Sequence, residues 1–231
     1  MRATAYCVGV GPGDPELLTL KALRLLRETR VVAVPGKTAE ESVAYRIALG
    51  ALPELAGKEL AAVDMPMTRD REALRQAHIA GAKQLEAYLD RGENVVFLTL
   101  GDPTVYCTFS YLQHVLEADG YAVELVPGVP SFCAAAARLN TPLTEWDEPL
   151  HVLPALHRAE DVCSLPGTCV LMKSGRSMPA VKAALRESGR KVVAAENCTM
   201  PGEKLYFDLD AIPDDAGYFS LLIAKERGAE G

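Results

Sequence analysis

Short apolar runs alternate with amphipathic segments along the first half of the chain. The apolar runs lie at Thr4 to Val10, Thr29 to Val34, Asn94 to Leu100 and Ala122 to Val126. Between them, apolar residues recur at spacings of three and four, which predicts helices over about 18–28, 70–91 and 108–119. Apolar strands joined by helices are typical of a parallel sheet. The pattern therefore predicts an α/β fold whose first half is a mostly parallel sheet.

The second half of the chain has a different pattern. Strands are predicted at Cys169 to Lys173 and Lys191 to Ala195, with a helix between them. Two further strands, at Lys204 to Leu209 and Tyr218 to Lys225, have no long helix before them. Strands that follow one another without crossover helices pair antiparallel, so this half is predicted to form a mixed sheet.

A polar stretch between the halves predicts a domain boundary. Residues 140–150, NTPLTEWDEPL, hold two prolines and show no regular period. The sequence therefore predicts an N-terminal α/β domain over 1–143, a linker over 144–149 and a C-terminal α/β domain over 150–227.

Three of the predicted strands in the first half end in glycine-rich loops. These loops begin at Gly11, Gly101 and Pro127. Because ligands of parallel sheets bind at the carboxyl ends of the strands, we expect the three loops to line one pocket.

The first loop excludes the commonest ligands of such sheets. It reads GVGPGD, so Asp14 stands where the dinucleotide fingerprint has its third glycine, and the chain has no P-loop motif. A carboxylate there would repel a pyrophosphate, which leaves a nicotinamide oxidoreductase as a poorly supported alternative. Asp102 places a second carboxylate beside Gly101. Two such loops suit a ligand with amine and hydroxyl donors and no phosphate, for example S-adenosylmethionine.

Composition and charge narrow the function further. The net charge of −7 argues against sequence-independent binding of nucleic acid. No apolar stretch is long enough for a membrane span, and the N-terminus lacks the pattern of a secretory signal, so we expect a cytoplasmic protein without a membrane partner. The six cysteines form no C-x-x-C pair and there are four histidines, so no protein-bound metal is expected.

Three blocks of the sequence resemble the signature blocks of the tetrapyrrole methylases. The blocks are VGVGPGDPELLTLKALRLL, FLTLGDPTVYCTFSYL and VPGVPSFCAAAARLNTPL. These methyltransferases use S-adenosylmethionine and release S-adenosylhomocysteine. The second and third blocks, with ENCTMPGEK in the second half, resemble the branch that methylates C20 of precorrin-2 or cobalt-factor II in cobalamin biosynthesis. Methylation of another corrin position, a diphthine or rRNA methyltransferase, and a non-catalytic cofactor-binding paralogue remain alternatives.

The resemblance implies two α/β domains, usually in a homodimer, with the cofactor between them. It also implies which positions bind the cofactor. In this chain those positions are Pro12, Leu100, Gly101, Asp102, Val105, Pro130, Ser131, Met172, Lys173 and Cys198. The alignment leaves open whether Met172 or Lys173 makes its contact.

The implied tetrapyrrole substrate carries many carboxylates, although the chain is acidic. Candidate cations for binding it are Arg69 and Arg71, in the loop after Met65-Pro66-Met67, and Lys173 and Arg176, at a predicted strand end. We expect an in-line displacement of the methyl group, promoted mainly by positioning. Candidate bases for the remaining proton are Asp102, Tyr106, Glu145, Asp147, His151 and Glu196. A structural role is favoured for each, and for His151 the pattern predicts a hydrogen-bonded histidine at a strand end.

Overall fold

The first half of the described chain folds around a sheet of five parallel strands, which confirms the predicted mostly parallel sheet and adds one strand that the pattern did not predict. The computed structural model describes residues 3–66, 68, 70–154, 161–162 and 164–226, with only the backbone of Arg176. The strands are β1 (Thr4–Gly9), β2 (Val31–Pro35), β3 (Glu59–Val63), β4 (Val95–Thr99) and β5 (Ala122–Val126). Their order in the sheet is β3-β2-β4-β1-β5. The strands β1 and β4 are therefore neighbours, and they pair in parallel.

Four helices cover the two faces of this sheet. They are α1 (Leu20–Glu28), α2 (Val43–Ala51), α3 (Arg71–Leu89) and α4 (Phe109–Ala118). Leu26 of α1 and Ala48 of α2 share one core with Val8, while Leu85 of α3 and Leu112 of α4 share another that includes the adjacent strand residue Cys7. Successive residues of β1 thus enter opposite cores, which explains why its sequence is apolar at every buried position.

The start of α1 differs from the prediction of a helix from about residue 18. Pro15–Leu17 forms a separate 3₁₀ turn, capped by the Asp14 carboxylate. The hydroxyl of Thr19 then accepts a hydrogen bond from the Ala22 N–H at 3.2 Å and begins α1. A side chain that satisfies these free N–H groups stabilises the helix start, so the local capping residue determines where α1 begins.

The second half contains the predicted mixed sheet. Its strands are β6 (Leu150–Pro154), β7 (Thr168–Met172), β8 (Lys191–Glu196), β9 (Lys204–Tyr206) and β10 (Ser220–Lys225), in the order β6-β7-β10-β8-β9. The first pair is parallel and the other neighbours are antiparallel. In the described part of this unit, two helices accompany the sheet, α5 (Ser131–Arg138) and α6 (Met178–Ser188).

The chain divides into two compact units, Met1–Pro130 and Ser131–Gly231. This division precedes the predicted linker at 144–149. The predicted domain boundaries at 143 and 150 stay a prediction.

The described helices give no sign of a membrane span. None of those that the structure describes combines the length and the apolar character that crossing a bilayer requires. The longest, α3, has 19 residues, but charged side chains such as Arg75 and Lys83 project from it.

Candidate functional site

The loops after β1 and β4 join at the carboxyl edge of the parallel sheet. The Val10 N–H donates to the carbonyl of Thr99 at 3.0 Å. Gly11 and Gly101 then exchange both backbone hydrogen bonds, at 3.2 and 2.8 Å. Two of the three predicted loops are therefore connected by their backbones as well as by proximity.

Glycines allow the third loop to join the first two. A Cβ on Gly9 would lie 2.5 Å from the Gly101 carbonyl oxygen and 2.8 Å from the Gly128 nitrogen. A Cβ on Gly128 would lie 2.2 Å from the same Gly101 oxygen. Because real Cβ atoms do not approach backbone this closely, only glycine fits at these two positions. The three strand ends thus form one close-packed floor.

Asp102 ties the second loop to the third. Its Oδ1 accepts hydrogen bonds from the backbone N–H of Thr104, at 2.8 Å, and from the Thr104 hydroxyl. Its Oδ2 accepts the Gly128 N–H at 2.9 Å. Asp102 is only 7% exposed, so this carboxylate stabilises the loops from inside. Its contact with a cofactor stays a prediction.

The other predicted cofactor residues of the first unit lie on these same loops. Pro12 is buried in the first loop, and Leu100 and Val105 are half-buried in the second. Tyr106 follows in a left-handed conformation, with a φ of 48°, and is 46% exposed. Non-glycine residues adopt this conformation rarely, and such residues cluster at functional sites.

Two thiols lie directly below the second loop. The Cys107 sulfur is 3.2 Å from the Thr99 hydroxyl oxygen. A hydrogen bond from the Cys7 thiol is the main cause that lowers the pKa of Cys107 to about 6. Burial raises the pKa of Cys7 itself. One of the two sulfurs is therefore a thiolate at neutral pH, and sequence reasoning did not find it.

This pair predicts selective alkylation. Above pH 6 Cys107 is mostly thiolate, so iodoacetamide should label it at a rate that levels off by about pH 7, because the thiolate is the reactive form. Labelling of Cys133, which is exposed and has a raised pKa, should still be accelerating at pH 9. Peptide mass spectrometry over a pH series measures both rates in one sample. A Cys107 rate that rises through pH 9 like that of Cys133 would contradict the assignment.

The second unit places its predicted residues on two turns at the carboxyl ends of β7 and β8. Met172 ends β7, and Lys173 leaves the strand with a φ of 59°, so the strand begins and ends one residue earlier than predicted. A Cβ on Gly175 would lie 2.3 Å from the Gly217 carbonyl oxygen, so the loop before β10 packs tightly against this turn.

Glu196 also contacts the loop before β10, the one that contains Gly217. Its Oε1 accepts the Gly217 N–H at 2.8 Å, and its Oε2 accepts the Tyr206 hydroxyl at 3.2 Å. The next residues, Asn197 and Cys198, form the second turn. Cys198 is buried, and burial raises its pKa to about 11, so this thiol stays protonated.

The remaining candidate bases are in varied surroundings. Glu145 is exposed and lies 3.4 Å from the Lys225 ammonium, as in a surface ion pair. Asp147 is also exposed. His151 lies inside β6, and its buried Nε2 has no hydrogen-bond partner among the described residues. The prediction of a fully hydrogen-bonded histidine was therefore wrong for this nitrogen.

The candidate substrate cations are only partly described. Arg71 is the first residue of α3 and is exposed. Arg69 and the side chain of Arg176 lie outside the described residues, although the backbone of Arg176 belongs to the 3₁₀ turn Gly175–Ser177. Within the described part of the chain, no three His, Cys, Asp or Glu side chains are grouped as a metal site would require.

Comparison with known proteins identifies the family. A model of the Tetrapyrrole (Corrin/Porphyrin) Methylases matches residues 4–212. The chain belongs to this family. A probable cobalt-precorrin-2 C(20)-methyltransferase of Methanocaldococcus jannaschii is 35% identical over 95% of each chain. A precorrin-2 C(20)-methyltransferase of a Sinorhizobium species is 33% identical over 94% of this chain and 92% of its own.

Solved structures confirm the tetrapyrrole methylase fold. A uroporphyrin-III C-methyltransferase of Thermus thermophilus, complexed with S-adenosylhomocysteine, superposes with a TM-score of 0.66. It is 26% identical and the match covers 97% of this chain and 98% of that one. The predicted pair of parallel and mixed sheets is therefore the architecture of the family.

The sequence pattern did not predict the role of some residues at the carboxyl edge of the parallel sheet. The sequence pattern predicts Gly9 within the first strand and Gly128 in the third loop, but it predicts no close contact between them and no role for Thr104. A glycine at the last position of a strand, as at Gly9, is the signal that could have indicated a close backbone approach. Thr104, two residues after Asp102, has the spacing of an Asx-type turn.

Proposed function

We propose that the protein is an S-adenosylmethionine-dependent methyltransferase of cobalamin biosynthesis that methylates C20 of precorrin-2 or cobalt-factor II. The similarity to two relatives named for the C20 reaction, over more than nine-tenths of each chain, carries this proposal. The converging loops at the carboxyl edge of the parallel sheet support it, because they form a rigid floor where such sheets bind ligands.

The chemistry of the loops fits S-adenosylmethionine. Residues 9–15, 100–107 and 127–131 contain no Lys or Arg, and they contain the carboxylates of Asp14 and Asp102. Such a set suits a ligand that carries an ammonium, a sulfonium and a ribose diol and lacks phosphate. In the proposal the cofactor is held by Pro12, the backbone of Leu100, Gly101 and Asp102, Val105, Pro130, Ser131, Met172 or Lys173, and Cys198.

The protein's part in the reaction is mainly positioning. When bound, S-adenosylmethionine supplies a methyl group on a positively charged sulfur, which is already a good leaving group. The rigid floor of Gly9, Gly101 and Gly128 fixes the loops, and correct alignment with exclusion of water contributes most of the rate. Both oxygens of Asp102 already accept protein hydrogen bonds, and Glu145 pairs with Lys225. The proposal therefore assigns no essential base.

The proposal includes the setting of the reaction. It takes the enzyme to be a cytoplasmic homodimer with a tetrapyrrole as its small-molecule substrate and no resident metal. The family resemblance supports the dimer, and the net charge of −7 supports the exclusion of RNA as substrate.

Methyl transfer to two substrates tests the proposal. The protein is supplied with S-adenosylmethionine labelled with carbon-13 in its methyl group and, in separate anaerobic reactions, with metal-free precorrin-2 or cobalt-factor II. We expect a labelled methyl at C20 of one of them by NMR, and the faster substrate assigns the metal-free or cobalt route. Label at another carbon, or on neither macrocycle while S-adenosylhomocysteine still binds, would contradict the C20 assignment.

A further inference from the structure

The first two turns of α3 project beyond the carboxyl edge of the parallel sheet. This helix runs back from the end of β3 towards the start of β4. At Gly81 it touches the end of β3 so closely that a Cβ would lie 2.7 Å from Cγ1 of Val63, the last residue of that strand. Arg71 lies ten residues earlier, which is about 15 Å further along the axis at 1.5 Å per residue. The residues before Gly81 therefore stand above the edge that carries the three glycine loops.

An aromatic stack lies on this projecting part. The rings of His78 and Tyr111 have centroids 4.5 Å apart and are parallel to within 2°. His78 is 8% exposed, whereas Tyr111 is 55% exposed, so the tyrosine covers the histidine and presents its own ring to solvent. Burial lowers the pKa of His78, which keeps the imidazole neutral at neutral pH. Tyr111 is in the first turn of α4, directly after the loop that contains Tyr106 and Cys107.

Positive charge lies on the same face of α3. Arg71, Arg75 and His78 are four and three residues apart, so their side chains follow one another along the helix surface. Arg75 is held by Glu72, with a distance of 2.8 Å between Nη2 and Oε1. The guanidinium of Arg71 has no hydrogen bond or ion pair with any described residue. The face thus combines a flat exposed ring with one uncommitted cation.

We propose that this face, formed by Arg71, Arg75, His78 and Tyr111, binds the macrocycle of the substrate. The inference rests on the proposed function, because it takes the substrate to be a flat, conjugated ring with peripheral carboxylates. Such a ring stacks on the exposed side of Tyr111, and its carboxylates reach Arg71. Tyr111 lies in the first turn of α4, directly after the loop that begins at Gly101, so a macrocycle stacked on it would lie next to a loop that the proposed function assigns to the methyl donor. Tyr111 is then a substrate-binding residue, and His78 is a positioning residue that sets the angle of the tyrosine ring.

A stable porphyrin probe tests the surface without methyl transfer. Uroporphyrin, a flat octacarboxylate, is titrated against the full-length protein, and binding is followed by the change in porphyrin absorbance. We expect Tyr111→Leu to weaken binding at least tenfold and Tyr111→Phe to weaken it less than twofold, because only the first loses the ring. Both substitutions leave an apolar side chain over His78, so the fold is preserved. Arg71→Gln should weaken binding three- to tenfold, and less at high salt.

Arg91 supplies the matched control. It follows the other end of α3 and is 52% exposed, so Arg91→Gln removes the same charge far from the proposed surface. We expect that variant to bind uroporphyrin as the parent protein does. All variants should bind S-adenosylhomocysteine with unchanged affinity in calorimetry. Equal porphyrin affinity of Tyr111→Leu and the parent protein would overturn the inference. So would a shift from dimer to monomer in sedimentation that occurs with Tyr111→Leu and not with Arg91→Gln, because a second copy of the chain would then cover this face.

The outcomes separate this inference from the proposed function. If the parent protein methylates C20 and Tyr111→Leu leaves the KM for the macrocycle unchanged, the surface is wrong and the function stands. If the parent protein methylates neither macrocycle but the porphyrin affinities follow the expected order, the surface stands and the C20 assignment fails. A tenfold rise in the KM of Tyr111→Leu at unchanged affinity for S-adenosylhomocysteine supports both.

Discussion

Replacing Gly128 with alanine is expected to remove cofactor binding and to destabilise the first unit. The new Cβ would lie 2.2 Å from the Gly101 oxygen and 2.8 Å from the Gly9 carbonyl carbon. Both are backbone atoms, so no side chain can rotate away, and the loops after β1, β4 and β5 must separate. We expect the free energy of unfolding to fall by about 3 kcal/mol, the upper part of the range for overpacking. The affinity for S-adenosylhomocysteine should fall at least 100-fold in calorimetry.

Gly57→Ala is the control for this substitution. Nothing lies within 4 Å of a Cβ built on Gly57, so that variant should melt and bind like the parent protein. The comparison separates the loss of glycine itself from the contact at the loop floor. If Gly128→Ala bound S-adenosylhomocysteine within threefold of the parent protein, the three loops would not form the cofactor site.

Asp102→Asn is expected to have the second large effect. The parent carboxylate accepts the N–H of Thr104 on one oxygen and the N–H of Gly128 on the other. An amide has only one oxygen, so its NH₂ group must face one of these N–H donors. A buried donor left without an acceptor costs about 1–3 kcal/mol. We expect the variant to lose about 2 kcal/mol of stability in urea unfolding, and at least 100-fold in affinity for S-adenosylhomocysteine, because the second and third loops are no longer tied.

Asp70→Asn makes the same chemical change where it should matter little. Asp70 begins α3, and its Oδ1 alone accepts the N–H groups of Glu72 and Ala73. Asparagine caps helices about as well as aspartate, so we expect a change below about 0.5 kcal/mol and unchanged cofactor affinity. Similar losses in the two variants would show that the effect at Asp102 comes from charge alone and not from the tie between loops.

The convergence of the three glycine-rich loops could be predicted from the sequence because it depends on local rules. Strands of apolar residues followed by helices imply a parallel sheet, and the ends of its strands must meet at one edge. The loops at Gly11, Gly101 and Pro127 were placed there by this argument. The contacts between Gly11 and Gly101, and between Asp102 and Gly128, confirm that they meet.

The segment between the second strand and α3 could not be assigned in the same way. The strand β3 has the sequence ELAAV, whose Glu and Ala residues have low β propensity, and α2 has only nine residues. Both elements are held by tertiary contacts. Gly50 of α2 packs against Pro15, where a Cβ would lie 2.7 Å from Cγ, and β3 pairs with β2 along its whole length. Packing therefore decided structures that local propensity leaves open.

The sequence by itself determined the architecture, the edge that carries the loops and the family. The spacing of apolar residues, the glycines at strand ends and the three family motifs all depend on residues that are close in sequence. They can therefore be recognised without knowledge of the tertiary structure. Only the tertiary structure decided what the individual residues do at that edge. It showed that both oxygens of Asp102 hold protein loops, that the Cys7 thiol lowers the pKa of Cys107, and that Tyr111 stacks on His78. The contacts of Asp102 with Gly128, of Cys7 with Cys107 and of His78 with Tyr111 each join groups more than 20 residues apart. Folding creates these contacts, so they leave no local pattern in the sequence.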